Sequence, residues 1–322
     1  MRKVVSFVFS FGTLILICLT LISFSDYQSQ TFDIFDHLRL HYFICAGFAI
    51  FIFLWLRKTI WLVLALFVLL SNGTILYSSQ LLTLEETEIN QSTKVIKLLN
   101  FNAYYKNKNA KKLIDYINKE KPDVIVLEEF RGITQETVFL LKSQYPYSGP
   151  FDEITRRPNY IYIFSKIPFE FKTLKHREIG DKNPPMVHGK LKLGSTKIDL
   201  IAVHLYKPFN AQIKSDALNW LSDYLKPLTN PILLVGDFNL TPWSDALMKF
   251  SSSNQLKKFG TFERSWPSQT AIIYIPFAQF LIDHVFVRDG ALWKINKHRF
   301  EAGPSIGSDH LPMISEFSIE KK

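Results

Sequence analysis

The sequence predicts an α/β protein in two unlike parts: three membrane-spanning helices, then a four-layer α-β-β-α sandwich. Three observations carry this. Of the 322 residues, 47% are hydrophobic, yet before about residue 80 the chain is nearly all Leu, Ile, Phe and Val, and only afterwards do charged, polar and apolar residues mix. Short runs rich in Ile, Val and Phe recur through the second part. Few helical periodicities separate them, which points to two face-to-face sheets with helices outside rather than to a doubly wound sheet.

Residues 4–24 carry no charge, and about 20 apolar residues at a rise of 1.5 Å cross a bilayer core of about 30 Å. A cleaved signal peptide is the alternative, since Arg2 and Lys3 form a basic start and Ser23 and Ser25 a small-x-small site. Residues 41–56 and 59–77 read as two further spans joined by the basic turn Arg57-Lys58. No polar face interrupts either, as a soluble amphipathic hairpin would require. Lys and Arg accumulate on the cytoplasmic side, which puts Arg2, Lys3, Arg57 and Lys58 inside and the acidic loop 25–37 outside. Three crossings carry the rest of the chain out of the cytoplasm, and cleavage of the first segment leaves that outcome unchanged. The reading is a multi-pass protein of the cell membrane with an anchor over 1–79.

Residues 80–93 (QLLTLEETEINQST) are polar, acidic and aperiodic, and read as a linker. The second domain begins near Lys94. Its strand candidates are 95–103, 123–129, 160–165, 187–193, 198–205, 232–237, 283–287 and 313–319, with helical patterns at Ala110, Leu113, Ile114 and Ile117 and at Ile213, Leu218, Leu221 and Leu225. The net charge of +9 falls mostly here; it suits a phosphate-bearing substrate or an anionic lipid surface, and equally a solvated basic face. Both cysteines, Cys18 and Cys45, lie in the apolar stretches. A disulfide framework or a Cys-ligated zinc site in the second domain is thereby excluded.

Several strands finish in small polar groups. Asn102 lies in Leu-Leu-Asn-Phe-Asn, Glu129 closes Asp-Val-Ile-Val-Leu-Glu-Glu, His204 closes Ile-Asp-Leu-Ile-Ala-Val-His, and Asp237 and Asn239 follow Ile-Leu-Leu-Val-Gly. Asp283-His284 opens a strand, and Ser308-Asp309-His310 precedes the last one. Taken singly, Glu129 reads as a solvated strand end, His204 as a core histidine and Gly-Asp-Phe-Asn as a turn. Their joint occurrence on successive strand ends does not. Hard divalent cations take oxygen ligands, Mg2+ from one or two carboxylates with water and phosphate oxygens, and Glu129 with Asn102 meets that demand. Phosphodiester cleavage needs an activated water, donors for phosphoryl oxygens and help for the leaving oxygen; two histidines with orienting carboxylates supply these.

In this order the motifs Asn102, Pro-Asp-Val-Ile-Val-Leu-Glu-Glu, His204-Leu, Gly-Asp-Phe-Asn, Ile-Asp-His and Ser-Asp-His resemble the endonuclease/exonuclease/phosphatase superfamily, which includes pancreatic deoxyribonuclease and neutral sphingomyelinases. The match runs over roughly 94–320, and the anchor resembles that of bacterial membrane members. The resemblance implies a phosphoesterase using Mg2+ or Mn2+, with Asn102, Glu129 and Asp309 on the metal side. It implies that Asp237 and Asn239 position the water and the phosphate, that Asp283 orients His310 as base or charge stabiliser, and that His204 assists the leaving oxygen. Glu128 stands where relatives often carry Gln and ranks below Glu129 as a ligand. Tyr162 is the candidate for a phosphate-facing tyrosine, with core packing as the alternative.

Arg156, Arg157 and Lys207 read as solvated surface or as grips on flanking phosphates. The apolar loop 271–280 reads as packing beside the site, as a lipid contact or as a base-stacking surface. Hydrolysis of nucleic acid outside the cytoplasm is the first functional expectation, hydrolysis of a phospholipid or sphingolipid head group the second, and a non-catalytic binding protein of the same fold the third. No protein partner is expected.

Overall fold

The computed structural model describes residues 1–24, 33–89, 94–130, 135–150, 161–172, 185–206, 211–269, 271 and 279–322. Three helices come first: α1 (Arg2–Ser23), α2 (Arg39–Leu56) and α3 (Thr59–Leu81). Each is long and apolar enough to cross a membrane. They run two to four residues beyond the expected limits at three ends, because hydrophobicity marks the core of a span and not its last turn. Arg57, in the left-handed conformation at φ 54°, closes α2 and makes the reversal into α3. Phe7, Phe48, Phe51 and Ile60 point outward from the bundle. Inside it the Asn72 amide donates to Thr20 Oγ1 at 3.0 Å, so that a polar side chain among apolar helices has a partner.

The second part holds two six-stranded sheets. The first contains β1 (Ile96–Asn102), β2 (Val124–Glu128), β3 (Tyr147–Gly149), β4 (Ile161–Ser165), β11 (Trp293–Ala302) and β12 (Met313–Lys321), in the order β11-β12-β1-β2-β4-β3. The second contains β5 (Phe169–Lys172), β6 (Met186–Leu193), β7 (Thr196–His204), β8 (Ile232–Asp237), β9 (Lys257–Lys258) and β10 (Asp283–Arg288), in the order β5-β6-β7-β8-β10-β9. Each sheet has one central parallel pair, β1 with β2 and β7 with β8, and antiparallel neighbours outside it.

Strand alternation divides the apolar residues between two faces. Ile96, Leu98, Val124, Val126, Leu200, Leu233, Val235 and Val285 fill the space between the sheets. Leu99, Phe101, Ile125 and Leu127 face outward against Leu113 and Ile117 of α4 (Ala110–Glu120) and Leu141 of α5 (Gln135–Gln144). On the other side Ile201, Val203 and Leu234 meet Leu218, Leu221 and Leu225 of α6 (Ala211–Leu225) and Leu247 and Phe250 of α7 (Asp245–Ser253). Four layers result, as expected. The elements without a sequence signal were β3, β5, β9, β11, α5 and α7. The first three are very short, and β11 is a charged edge strand with a bulge between Lys297 and Arg299, a composition that blunts edge pairing and hides the strand.

The expected linker differs from the structure in its first half. α3 continues to Leu81, and the following residues lie along two sheet edges: Lys258 N donates to Leu82 O at 2.9 Å, Leu84 N to Lys258 O at 2.7 Å and Thr87 N to Lys297 O at 2.7 Å. Backbone donors exposed on an edge are satisfied by whatever chain lies beside them, and composition does not report that.

Candidate active site

Strand register builds the site. In the first sheet Asn102 and Glu128 are paired residues at the ends of β1 and β2, and both face the second sheet. In the second sheet His204 pairs with Asp237, and Asp237 pairs with Asp283, which sets three side chains in a row across β7, β8 and β10. Gly236 makes this row possible. Its φ is 144°, and a Cβ there would lie 1.8 Å from Val203 O, so only glycine lets β8 end this close to β7.

The two rows meet over one oxygen. Asp237 Oδ2 lies 3.1 Å from Asn102 Nδ2, 3.6 Å from His204 Nε2 and 3.7 Å from His310 Nε2. Glu129, just past β2, has φ 51°, which turns its side chain back across the sheet end; its Oε1 is 3.3 Å from Asn102 Nδ2 and 3.7 Å from His204 Nε2, and its Oε2 accepts Tyr105 N at 3.3 Å. His310 arrives from the loop before β12. Ser308 Oγ donates to Asn102 O at 2.7 Å and accepts His310 N at 3.0 Å, and His310 Nδ1 donates to Asp283 Oδ2 at 2.8 Å. Asn239, at φ 51°, closes a turn in which its N–H donates to Asp237 Oδ1 at 2.8 Å, while its amide donates to Leu205 O at 2.9 Å. The Asp309 carboxylate accepts Ser308 Oγ at 3.4 Å, the same hydroxyl that lies 2.7 Å from Asn102 O.

Burial and mutual charge set the protonation of this cluster. Asp237 is pushed up to about 7 by burial and then by the Asp283 carboxylate, against the opposing pull of His310. Burial acts to lower His310, but the Asp283 and Asp237 carboxylates outweigh it and push the imidazole up to about 10. Glu128 is held well above the usual carboxylate range by burial and by Asp237 and Asp283. One atom each of Asp237, Asp283 and His310 lies within 4.8 Å of the others, a spacing that suits a metal ion. His310 Nδ1 lies 2.8 Å from Asp283 Oδ2 and Nε2 3.7 Å from Asp237 Oδ2, so the same trio also forms a hydrogen-bonded acid–base network. On the opposite side the Glu129 carboxylate offers the oxygen chemistry that Mg2+ or Mn2+ takes; the neighbouring Asn102 amide turns its nitrogen to Glu129 and its Oδ1 to Tyr104 N at 3.0 Å, and its oxygen would join Glu129 on an ion after an amide flip. The buried Glu128 Oε1 and Asp283 Oδ1, without partners among the described residues, leave further acceptor capacity between the two sets.

Every expected site residue lies at this end of the sandwich, with Asp309 joined to the rest through the Ser308 hydroxyl. Tyr162 belongs to the outer core beside Phe130, with ring centroids 5.6 Å apart, as the packing alternative holds. Arg156, Arg157, Lys207 and most of loop 271–280 lie outside the described residues. Two contributors escaped the sequence reading. Glu128 Oε2 accepts the Asp237 N–H at 3.0 Å, so the residue beside the expected ligand supports the central carboxylate. His284 Nε2 donates to Leu240 O at 2.7 Å, holding the chain just past Asn239, and burial lowers it to about 4. Its adjacency to Asp283 was the only available signal.

The sequence profile of the Endonuclease/Exonuclease/phosphatase family matches residues 99–310. Among solved structures, a humanized D. rerio TDP2 aligns with TM-score 0.53 at 15% identity over 70% of this chain and 99% of that one. The human Nocturnin catalytic domain with bound sulfate aligns with TM-score 0.52 at 15% identity over 70% and 95%. A doubly substituted Staphylococcus aureus beta toxin with bound magnesium ions aligns with TM-score 0.50 at 14% identity over 69% and 99%. At these identities the likeness is one of fold. A search of curated proteins returned no match.

Proposed function

The chain belongs to the endonuclease/exonuclease/phosphatase family, and from that premise we propose that it is a divalent-metal-dependent phosphoesterase of the cell membrane, anchored by α1–α3 with its catalytic domain outside the cytoplasm. The observation that carries this reading is the convergence of Asn102, His204 and His310 on one buried oxygen of Asp237. That arrangement places a proton acceptor and three nitrogen donors around a space next to Glu129.

Glu129 and Asn102 would hold the ion, and a bound Mg2+ or Mn2+ would supply positive charge for phosphoryl oxygens. Asp237, whose basicity is raised toward neutrality, takes a proton from the attacking water. Asn239 fixes the Asp237 carboxylate through its N–H. His310, kept charged by Asp283, donates to the phosphoryl oxygens, and Asp309 adds negative charge beside it. His204 serves the leaving oxygen.

Nucleic acid is the first substrate reading, supported by the basic net charge and by the single-stranded DNA product bound by a D. rerio TDP2 of the same fold. Lipid phosphodiesters are the second, favoured by three apolar helices that concentrate the enzyme at a bilayer. A binding protein without activity is disfavoured by the intact cluster. The test uses the full chain in nanodiscs with Mg2+ or Mn2+ against DNA, RNA, sphingomyelin, phosphatidylinositol phosphates and bis(p-nitrophenyl) phosphate, with EDTA and Asp237→Ala as controls. Nucleic-acid cleavage abolished by both controls makes it a surface nuclease, lipid cleavage a membrane phospholipase. No turnover on any of them returns the protein to the binding reading.

A further inference from the structure

The loop that follows the catalytic strand β8 is held by the N-terminal helices. Thr241 stands four residues past Asp237 and two past Asn239. Its backbone N–H donates to His37 Nδ1 at 3.2 Å, and its hydroxyl lies 3.0 Å from the same atom. His37 lies in the short 3-10 turn Asp33–Leu38 that leads into α2. A nitrogen that accepts the backbone N–H carries no proton; this puts the ring hydrogen on Nε2, buried and without a partner among the described residues, and makes the hydroxyl the donor in the second contact.

The contact is reinforced on both sides of Thr241. The Trp243 indole donates to His37 O at 3.1 Å, and Asp245 N donates to Asp36 Oδ2 at 3.3 Å. Arg39 holds the Asp36 carboxylate at 3.1 Å and donates to Ser23 O at 2.5 Å, tying the turn to the end of α1. From α3, Ser79 Oγ donates to Pro242 O at 2.8 Å and receives Lys258 Nζ at 2.6 Å. Asp36, His37, Arg39, Ser79, Thr241 and Trp243 are all buried. Inside the catalytic domain His284 fixes Leu240 and Leu205 O fixes Asn239. The stretch Asp237–Thr241 therefore has an inner clamp from its own domain and an outer clamp from the helices, and four residues of chain span at most about 14 Å between the Asp237 and Thr241 Cα atoms.

We propose that His37 is a positioning residue for the catalytic loop, so that the helical region belongs to the catalytic unit and is more than a tether. The proposal rests on the phosphoesterase reading given above. It acts through Thr241: with Nδ1 in place, Thr241 is immobile, Leu240 and Asn239 keep their turn, and the Asn239 N–H stays on Asp237 Oδ1. A tether would need none of this geometry, since any apolar contact would hold the domain near the bilayer.

The test compares full-length wild type, His37→Leu and His37→Asn in nanodiscs, with bis(p-nitrophenyl) phosphate and Mn2+ as the probe. The Asn Oδ1 sits where Nδ1 sits and can accept the same two hydrogen bonds; Leu cannot. We expect His37→Leu to lower kcat about 10- to 100-fold with KM little changed, the scale of a misplacement of about 1 Å, and His37→Asn to restore it. Hydrogen exchange over 237–245 supplies a readout independent of turnover, expected to accelerate at least about tenfold in His37→Leu and to return toward wild type in His37→Asn. Wild-type kcat and exchange in His37→Leu would overturn the proposal, as would a His37→Asn variant no better than Leu. If His37→Leu fails to fold, Thr241→Val, which removes the hydroxyl contact to His37 at nearly constant volume, takes its place; faster exchange at residue 241 with a lowered kcat supports the clamp, and unchanged values overturn it. Should the wild type turn over no phosphodiester, the phosphoesterase reading fails, while the exchange comparison still decides the clamp.

Discussion

Replacing Gly236 by alanine tests how the row His204, Asp237 and Asp283 is made. The added Cβ would stand 1.8 Å from Val203 O and 2.9 Å from Val203 C, where 3.0 Å is the closest approach that real Cβ atoms show. Both are backbone atoms, so no rotamer relieves the clash, and β7 and β8 must part by roughly 1.2 Å at the pair next to His204 and Asp237. Overpacking of this kind costs about 1–3 kcal/mol, and a non-glycine residue held at φ 144° adds strain of about 1–3 kcal/mol. For a domain of this size the sum lowers Tm by about 5–20 °C. A shift of about 1 Å between His204 and Asp237 lowers kcat about 100-fold. The assay is thermal unfolding of the full chain in detergent alongside turnover of bis(p-nitrophenyl) phosphate with Mn2+. A Gly236→Ala protein with wild-type Tm would refute the close-approach argument; one that loses Tm but keeps kcat would refute the link between strand spacing and the site.

Glu129→Ala removes a carboxylate from the expected metal side; the Mn2+ concentration for half-maximal turnover, or the Kd from calorimetry, should rise at least about 100-fold, and an unchanged value would move the ion elsewhere. His310→Ala should lower kcat by about 10²- to 10⁴-fold, the contribution of a positioned acid or base, with an unchanged circular dichroism spectrum; retention of activity would remove His310 from the reaction. Lys258, buried against Ser79, is lowered to about 7 by burial. Between about pH 7 and the unfolded value near 10.5 the unfolded chain binds the extra proton, so stability should rise with pH by up to about 1.4 kcal/mol per unit. Lys258→Met should flatten that slope in denaturation curves of the full chain, and an equal slope in both proteins would contradict the buried-lysine account.

The candidate site was legible because its chemistry is written at strand ends. Asn102, Glu129, His204, Asp237 and Asp283 each close or open an apolar run, and alternation alone predicts that such residues collect at one edge of a sandwich. Glu128 was harder to place. It follows the same run as Glu129, and only the register that sets it opposite Asn102, with Asp237 N on its carboxylate, distinguishes a buried support from an exposed turn residue. His284 was similarly ambiguous, since its partner is a backbone carbonyl 44 residues away.

Hydrophobicity by itself determined the division of the chain, the three apolar helices and the two-sheet core, because burial of apolar surface is a property of local pattern. The sequence also determined which titratable groups were available at the strand ends. The tertiary structure alone decided which of them share a proton network and that residues 82–87 lie along sheet edges. It alone placed His37 on Thr241, 204 residues on. Hydrogen bonds and charge coupling depend on distances of a few ångströms between residues remote in the chain, and no linear pattern encodes those distances.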